Sequence, residues 1–379
     1  MNNFCPAPWM SLFYQIDQAS VCCASNDKLK MSPEEFRNSD YLRELKKQFL
    51  AKEKPAGCNG CWQREDQKLI SIRNHYLDRF PKYNYNFFDS NTQLPVEHME
   101  LRASNLCNFQ CRMCYPENSV EIAREVEKTP SLQKHFKSYP SSVMEIDDAN
   151  WRQIFDISLD TSNLFLTGGE PLLIKHYYDL LDHLIANDRC EHTALNIYTN
   201  CSVFNPKFVD RIIKFKNVRL SLSIDAVGKV AEYQRYGTIW NTVKNNAIKF
   251  SQLSNIKPII HTTITAYNIL DLAALADFYL QMLEENNNTQ FMVHVAYIPK
   301  GINYMNLPKP LKTIAIEQID MALLKLKLNT FNNVCEEFKS IKQQLLKDSS
   351  GHIDFIRHTM MYDKSRNQKF EDVFNFKLY

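Results

Sequence analysis

From residue 98 onward, short runs of alternating or apolar residues recur at regular spacing, separated by amphipathic helical stretches, and this alternation limits the chain to few folds. Strand-like runs fall at 98–103, 163–167, 195–200, 218–224, 258–265 and 291–297. Helical patterns lie near 150–160, 171–187, 205–215, 239–253 and 270–284, the third opened by the capping pair Asn205-Pro206. Strands alternating with helices of this length build parallel βα units. Six units fit an incomplete barrel better than a closed eight-fold one, so the expected fold class is α/β, a partial parallel (β/α)6 barrel over 98–300.

Within the strands the polar and apolar positions separate cleanly. In VRLSLSID, Val218, Leu220, Leu222 and Ile224 share one face, and Arg219, Ser221, Ser223 and Asp225 the other. Glu100 and Arg102 share a face, as do Asn196, Tyr198 and Asn200, and His261, Thr263 and Thr265. Such a face turns either to solvent or into the barrel. With helices outside, the lumen is the better reading, and a polar lumen is a cavity for a ligand.

The flanks read differently. Residues 1–80 form a loop-rich module with one helix, started by Ser32-Pro33-Glu34-Glu35 and stopped by Pro55-Ala56-Gly57. The aperiodic, aromatic and Asn-rich stretch within 81–97 is a packed connector. Residues 301–379 read as a helical C-terminal extension with helices at 311–328 and 334–346. Across 379 residues the formal charge is only +2, so no global field recruits nucleic acid or an anionic membrane. No apolar run is long enough to span a bilayer and the start is not a signal peptide, which points to a cytoplasmic protein.

A reducing compartment gives the 11 cysteines meaning, because clustered thiols there are ligands or catalysts more often than disulfides. Cys190, Cys201 and Cys335 are isolated and read as core residues. Cys107, Cys111 and Cys114 form a CxxxCxxC knot directly after the first strand of the alternating region. Three thiolates on one short loop can hold three irons of a 4Fe–4S cube and leave the fourth iron open. A structural zinc site would want a fourth Cys or His close by, and the next downstream histidine is His135. The other histidines show no ligand pairing, and no Ser–His–Asp order, Walker loop or dinucleotide fingerprint is present.

The loop CNFQCRMCYP, followed one βα unit later by Gly168-Gly169-Glu170-Pro171, resembles the radical S-adenosylmethionine (SAM) superfamily. That resemblance implies an enzyme in which SAM chelates the open iron and is cleaved reductively to a 5′-deoxyadenosyl radical that abstracts hydrogen from substrate. It implies that Gly168 and Gly169 let the backbone approach SAM and that Glu170 receives its amino group. Asn200, Ser221, Ser223 and Asp225 stand where the family contacts ribose and carboxylate, and Arg235 resembles an arginine that pairs with the carboxylate. Asn268 follows the fifth strand at a similar level. The residue before the third cysteine, usually aromatic in the family, is Met113 here, and Tyr115 is the candidate replacement for its adenine contact. An electron donor such as flavodoxin or ferredoxin is the implied partner.

The N-terminal cysteines, in FCPAPWM…SVCC…PAGCNGCWQRED, resemble the auxiliary-cluster module called SPASM or twitch, placed before the barrel. Cys5, one of Cys22 or Cys23, Cys58 and Cys61 would supply four ligands to a second 4Fe–4S cluster; by spacing alone a four-thiolate zinc site is equally open. Relatives with such modules often modify peptides, so a peptide is the first expected substrate. A small metabolite or sugar derivative in the lumen is the alternative, and an iron–sulfur scaffold or electron carrier that never cleaves SAM is a third. No catalytic residue is singled out by the sequence.

Overall fold

The computed structural model describes residues 3–66, 70–83, 88–136, 138–327, 329–347, 352–376 and 378. Residues 84–87 of the expected connector and residue 328 of the expected helix at 311–328 lie outside them. The strands in chain order are β1 (Ser11–Gln15), β2 (Gln18–Ser20), β3 (Leu29–Lys30), β4 (His98–Arg102), β5 (Gln110–Cys111), β6 (Asn163–Thr167), β7 (Ala194–Thr199), β8 (Asn217–Ser223), β9 (Arg235–Tyr236), β10 (Ile256–Ile264) and β11 (Gln290–Val295).

Among the described residues, nine strands form one sheet in the order β3-β2-β1-β4-β6-β7-β8-β10-β11. The six strands β4, β6, β7, β8, β10 and β11 follow one another in chain order, each parallel to the last. They match the six alternating runs, with helices Asp148–Ser158, Lys175–Ala186, Pro206–Ile212, Trp240–Ser251 and Leu272–Glu285 between them. The sheet is not closed: β11 ends one side and β3 the other.

The apolar faces of the strands are sealed. Val218, Leu220 and Leu222 are at most 1% exposed, and Leu164, Leu166, Leu195 and Ile197 are fully buried beneath the helices. Tyr177, from Lys175–Ala186, reaches this face and donates its hydroxyl to Leu101 O and Thr167 O at 2.9 and 2.7 Å. The polar face is largely withdrawn from solvent too: Asn196 and Ser221 are buried, and His98 is only 9% exposed. That is the signature of a lumen.

The N-terminal region departs from the expectation of a loop-rich module with one helix. Its β1 pairs in parallel with β4, from Ser11 against His98 to Gln15 against Arg102, so the module extends the barrel sheet itself. The expected helix is two, Pro33–Arg37 and Asp40–Leu50, because Ser39 breaks the first and caps the second, its side chain accepting from Leu42 N. The Ser32 start forms a full capping box with Glu35. Phe4, Trp9, Leu12, Phe36 and Phe49 belong to the same apolar core as Met99, Leu164 and Ile154.

Two further helices, Asn59–Asp66 and Ile72–Arg79, were not legible in the sequence. Tyr76 packs edge-on to His98 with ring centroids 4.9 Å apart, and its hydroxyl meets Ser11 Oγ at 2.6 Å. Arg79 lies over the Phe165 ring at 5.6 Å. The Ile72–Arg79 helix therefore occupies the polar side of β4 and β6, and part of the lumen is filled by the chain itself.

The C-terminal extension is helical as expected: Lys309–Lys325, Asn332–Leu345, His352–Arg366 and Phe370–Phe374. No helix among the described residues is long and apolar enough to cross a membrane.

Candidate cluster and cofactor site

The loop that follows β4 is fixed by backbone before any side chain is considered. Gly169 N donates to Ser104 O and Glu170 N to Leu106 O, both at 2.8 Å, so the Gly-Gly turn after β6 grips the stretch leading into Cys107. The approach admits nothing larger. A Cβ on Gly169 would stand 2.2 Å from Leu106 O, and Gly168 has φ +124 with a would-be Cβ 2.8 Å from Ser104 O. On the other side, β5 pairs antiparallel with β9, setting Cys111 opposite Arg235. Two short segments far apart in sequence thus hold the cysteine loop in place.

Cys111 is buried, whereas Cys107 and Cys114 are half-exposed. Burial raises all three thiols, Cys114 to about 12, with Cys111 adding to the shift of both neighbours. Donors point at two of the sulfurs: Asn200 Nδ2 lies 3.9 Å from Cys107 Sγ and Arg235 Nη1 4.0 Å from Cys111 Sγ. Among the described residues no three His, Cys, Asp or Glu side chains stand close enough to grip a single ion. A cube asks something different, since each thiolate meets its own iron. Three thiols on one loop, flanked by N–H donors, fit the ligand side of a 4Fe–4S cluster with one iron left open.

Glu170 is held within the turn by hydrogen bonds. It is 1% exposed, and its carboxylate accepts from Thr199 Oγ1 at 2.8 Å, Asn200 N at 2.7 Å and Leu172 N at 3.2 Å. Burial pushes its pKa up to about 7 against these bonds. Through these bonds Glu170 sets the turn carrying Asn200. Asn200 in turn bonds Asn108 Oδ1 at 3.0 Å and receives Ser202 N at 2.8 Å.

Asp225 is 1% exposed and accepts from Arg235 Nε at 2.6 Å, Gln234 Nε2 at 3.2 Å and Thr263 N at 2.8 Å. Burial opposes the charge on Arg235, but Asp225 and the Cys111 sulfur outweigh it and hold the guanidinium firmly protonated. Ser221 is buried, Ser223 and Tyr115 are half-exposed, and all three border this region from β8 and the cysteine loop. Asn268 is a support: its amide donates to Asp225 O and Thr263 O at 2.8 and 2.9 Å.

Sequence reading missed the clamp behind the loop. Arg112, fully buried between two of the cysteines, donates to Tyr233 O at 2.9 Å, Asp363 Oδ1 at 2.6 Å and Gln368 Oε1 at 2.9 Å. Its guanidinium lies 3.6 Å from the Tyr233 ring centre. Arg366 pairs bidentately with Glu125 at 2.8 and 2.9 Å. The first joins the C-terminal helix His352–Arg366 to the cluster loop and the second joins it to the helix Val120–Lys128 that follows, and only the long-range fold could reveal them.

Four of the N-terminal cysteines act on one another electrostatically. Burial raises Cys5, with Cys22, Cys58 and Cys61 all adding to the shift. Burial also raises Cys22 to about 11 and Cys58 to about 12. Asn26 N donates to Gly57 O at 2.8 Å, joining the loop after Cys22 to the turn bearing Cys58. A Cβ on Gly57 would stand 2.1 Å from the Asp27 carboxylate, so only glycine allows that approach. Arg73 Nη1 anchors Phe4 O at 2.8 Å, beside Cys5. Cys23 is exposed, with Glu100, Lys28 and Cys22 as neighbours, whereas Cys22 is buried. Cys201 is fully buried and Cys190 and Cys335 are half-buried.

An open parallel α/β sheet with a three-cysteine loop after its first barrel strand defines an architecture that known proteins share. Residues 101–279 match the model of the Radical SAM superfamily. A GTP 3′,8-cyclase of Acaryochloris marina is 25% identical over 193 residues, covering 48% of this chain and 53% of that protein. The chain thus spans about half the length of this curated relative. Among solved structures, Streptococcus suis SuiB bound to S-adenosylmethionine shares 13% identity with a TM-score of 0.38, covering 80% of this chain and 66% of that one. SuiB bound to its precursor peptide SuiA shares 15% identity, TM-score 0.38, covering 65% and 55%. Likenesses this distant bear on neither chemistry nor substrate.

Proposed function

We propose that the chain is a radical SAM enzyme whose cleavage cluster is held by Cys107, Cys111 and Cys114. The observation that carries this reading is the three-thiol loop clasped by the Gly-Gly turn, with N–H donors directed at two of its sulfurs. A bound 4Fe–4S cluster with an open iron supplies the electron that cleaves SAM reductively. Everything else falls to the protein.

Gly168 and Gly169 set the cluster loop, and Glu170 holds Asn200 in place. Arg235, kept cationic and aimed by Asp225, offers a charge for a carboxylate beside Cys111. Ser221 and Ser223 offer hydroxyls on the lumen face, and Tyr115 an aromatic ring beside Cys114. The C-terminal helix, through Asp363 and Arg366, covers the back of the site and helps keep water from it.

The division we propose is an auxiliary-cluster module at 1–80, a connector at 81–97, the SAM barrel at 98–300 and a helical extension at 301–379. Cys5, Cys22, Cys58 and Cys61 would hold a fully ligated second 4Fe–4S cluster, suited to electron transfer or substrate positioning. All eleven cysteines are free thiols, which fits a reducing, cytoplasmic setting and a reductant such as flavodoxin or ferredoxin. A peptide is the first substrate reading, carried by the resemblance of the N-terminal module. A small polar metabolite is the second, favoured by Glu100, Ser221 and His261 on the lumen face.

The test is anaerobic reconstitution with SAM and dithionite. We expect 5′-deoxyadenosine to form and to be lost in Cys111→Ala. SAM that binds without being cleaved under those conditions would reduce the chain to a scaffold or electron carrier.

A further inference from the structure

At the end of the barrel away from the cysteine loop lies a cavity of about 150 Å³ that the proposed chemistry does not use. Its walls carry Arg79, Arg219 and Lys257 together with the amides of Asn163, Asn196 and Asn217, and among the described residues no carboxylate lines it. These residues come from the first turns of β6, β7, β8 and β10 and from the last residue of the Ile72–Arg79 helix. Arg219 lies near the start of β8 and Asp225 follows its end, so the two stand at opposite ends of a seven-residue strand. The cavity is therefore separate from the site around Asp225 and Arg235.

Three cations converge there without compensation. Among the described residues none of Arg79, Arg219 and Lys257 forms an ion pair. Arg79 lies over the Phe165 ring, and Arg79, Arg219 and Lys257 all keep a solvent-exposed side at the cavity's rim. Glu97, at the foot of β4, is already taken by Lys82 at 2.9 Å. Burial lowers the Arg79 pKa, and the facing Arg219 lowers it further. Like charges gathered at one cavity repel one another, a cost that solvent screens in part and that a bound anion would remove. The Asn amides are what an oxyanion needs in addition: neutral N–H donors that fix orientation without adding repulsion.

We infer that this cavity is a binding site for a phosphate-class dianion, either free or as a phosphate monoester. Two guanidinium groups and an ammonium match its charge, and three amides match its acceptors. The site is independent of SAM cleavage and its occupancy can be read without cluster reduction.

The test uses the full-length holoprotein at constant ionic strength. Thermal unfolding is followed against inorganic phosphate, pyrophosphate and phenyl phosphate, with chloride as the control. A saturable rise in Tm with phosphate and none with chloride is expected. A matching response to phenyl phosphate identifies the ester as a ligand, and a response to inorganic phosphate alone identifies the free ion. Arg219→Gln removes one charged hydrogen-bond donor and should weaken the response by about tenfold or more. Because it also relieves repulsion, its Tm without phosphate should equal or exceed that of the native chain, which a merely structural arginine would not allow. Lys257→Gln, at an exposed strand start, repeats the test with little risk to folding. No saturable response, or an identical response in both variants, overturns the inference.

Discussion

The two cysteine constellations are built in opposite ways. Cys107, Cys111 and Cys114 sit within eight residues on a single loop, and two of the three remain half-exposed. Cys5, Cys22, Cys58 and Cys61 come from three separate segments, and all but Cys58 are buried. The first set offers three thiols and an accessible side; the second offers four and encloses them. A cluster bound by the first can take an outside ligand, while one bound by the second is shielded and complete. On the proposed reading, number and enclosure of thiols separate the cleavage site from the second one.

The sharpest way to break this comparison is to remove one thiol from each set. Cys111→Ala should reduce 5′-deoxyadenosine formation to background, while Cys58→Ala should leave SAM cleavage measurable. Each should lower iron from about eight to about four per chain, as expected for two cubes. Equal loss of cleavage in both would erase the distinction.

The supports behind the two sets should also differ. Asp363→Ala strands the fully buried Arg112 guanidinium and should cost about 3–5 kcal/mol in chemical denaturation. Glu65→Ala, at the more accessible Arg73 pair beside Cys5, should cost less. Arg112→Met combined with Asp363→Ala should recover part of the loss, because the unpaired charge is gone.

Glu170 adds a pH signature belonging to the first set alone. Its folded pKa of about 7 lies above the ordinary 4.5, so the folded protein holds a proton that the unfolded chain has released. The resulting contribution is complete below pH 4.5 and is lost as pH rises through 7; the shift corresponds to about 3 kcal/mol. His98, with a pKa lowered to about 3 by burial, acts in the opposite sense, adding stability as pH rises from acid. The difference between the native chain and Glu170→Gln isolates the first effect and should decline from pH 5 to pH 7.5. A flat difference would show that Glu170 titrates normally. The smallest expected effect is at Cys23→Ser, where iron content should stay unchanged while Cys22→Ser loses about half.

The barrel was readable because its pattern is local. Alternation in VRLSLSID gives the strand, its faces and its sheet neighbours without long-range information, and six of six expected strands appear at nearly their expected positions. The cysteine loop was readable for the same reason. The N-terminal strands were not, because β2 and β3 are three and two residues long and borrow their stability from β1 and β4. The Arg112–Asp363 clamp spans 251 residues and leaves no local trace. Glu170 shows the subtler limit: the motif located the residue, but its partners Thr199 and Asn200 lie at the end of the next strand and left no local trace.

The most direct measurement is electron paramagnetic resonance of the dithionite-reduced Cys58→Ala/Cys61→Ala variant, recorded with and without SAM. This variant should retain about four irons per chain, one cube's worth. SAM should then shift the reduced-cluster spectrum, because the cluster at Cys107, Cys111 and Cys114 has an iron free to bind it. A spectrum that SAM leaves unchanged, in a variant with that iron content, would contradict an open-iron site in this chain.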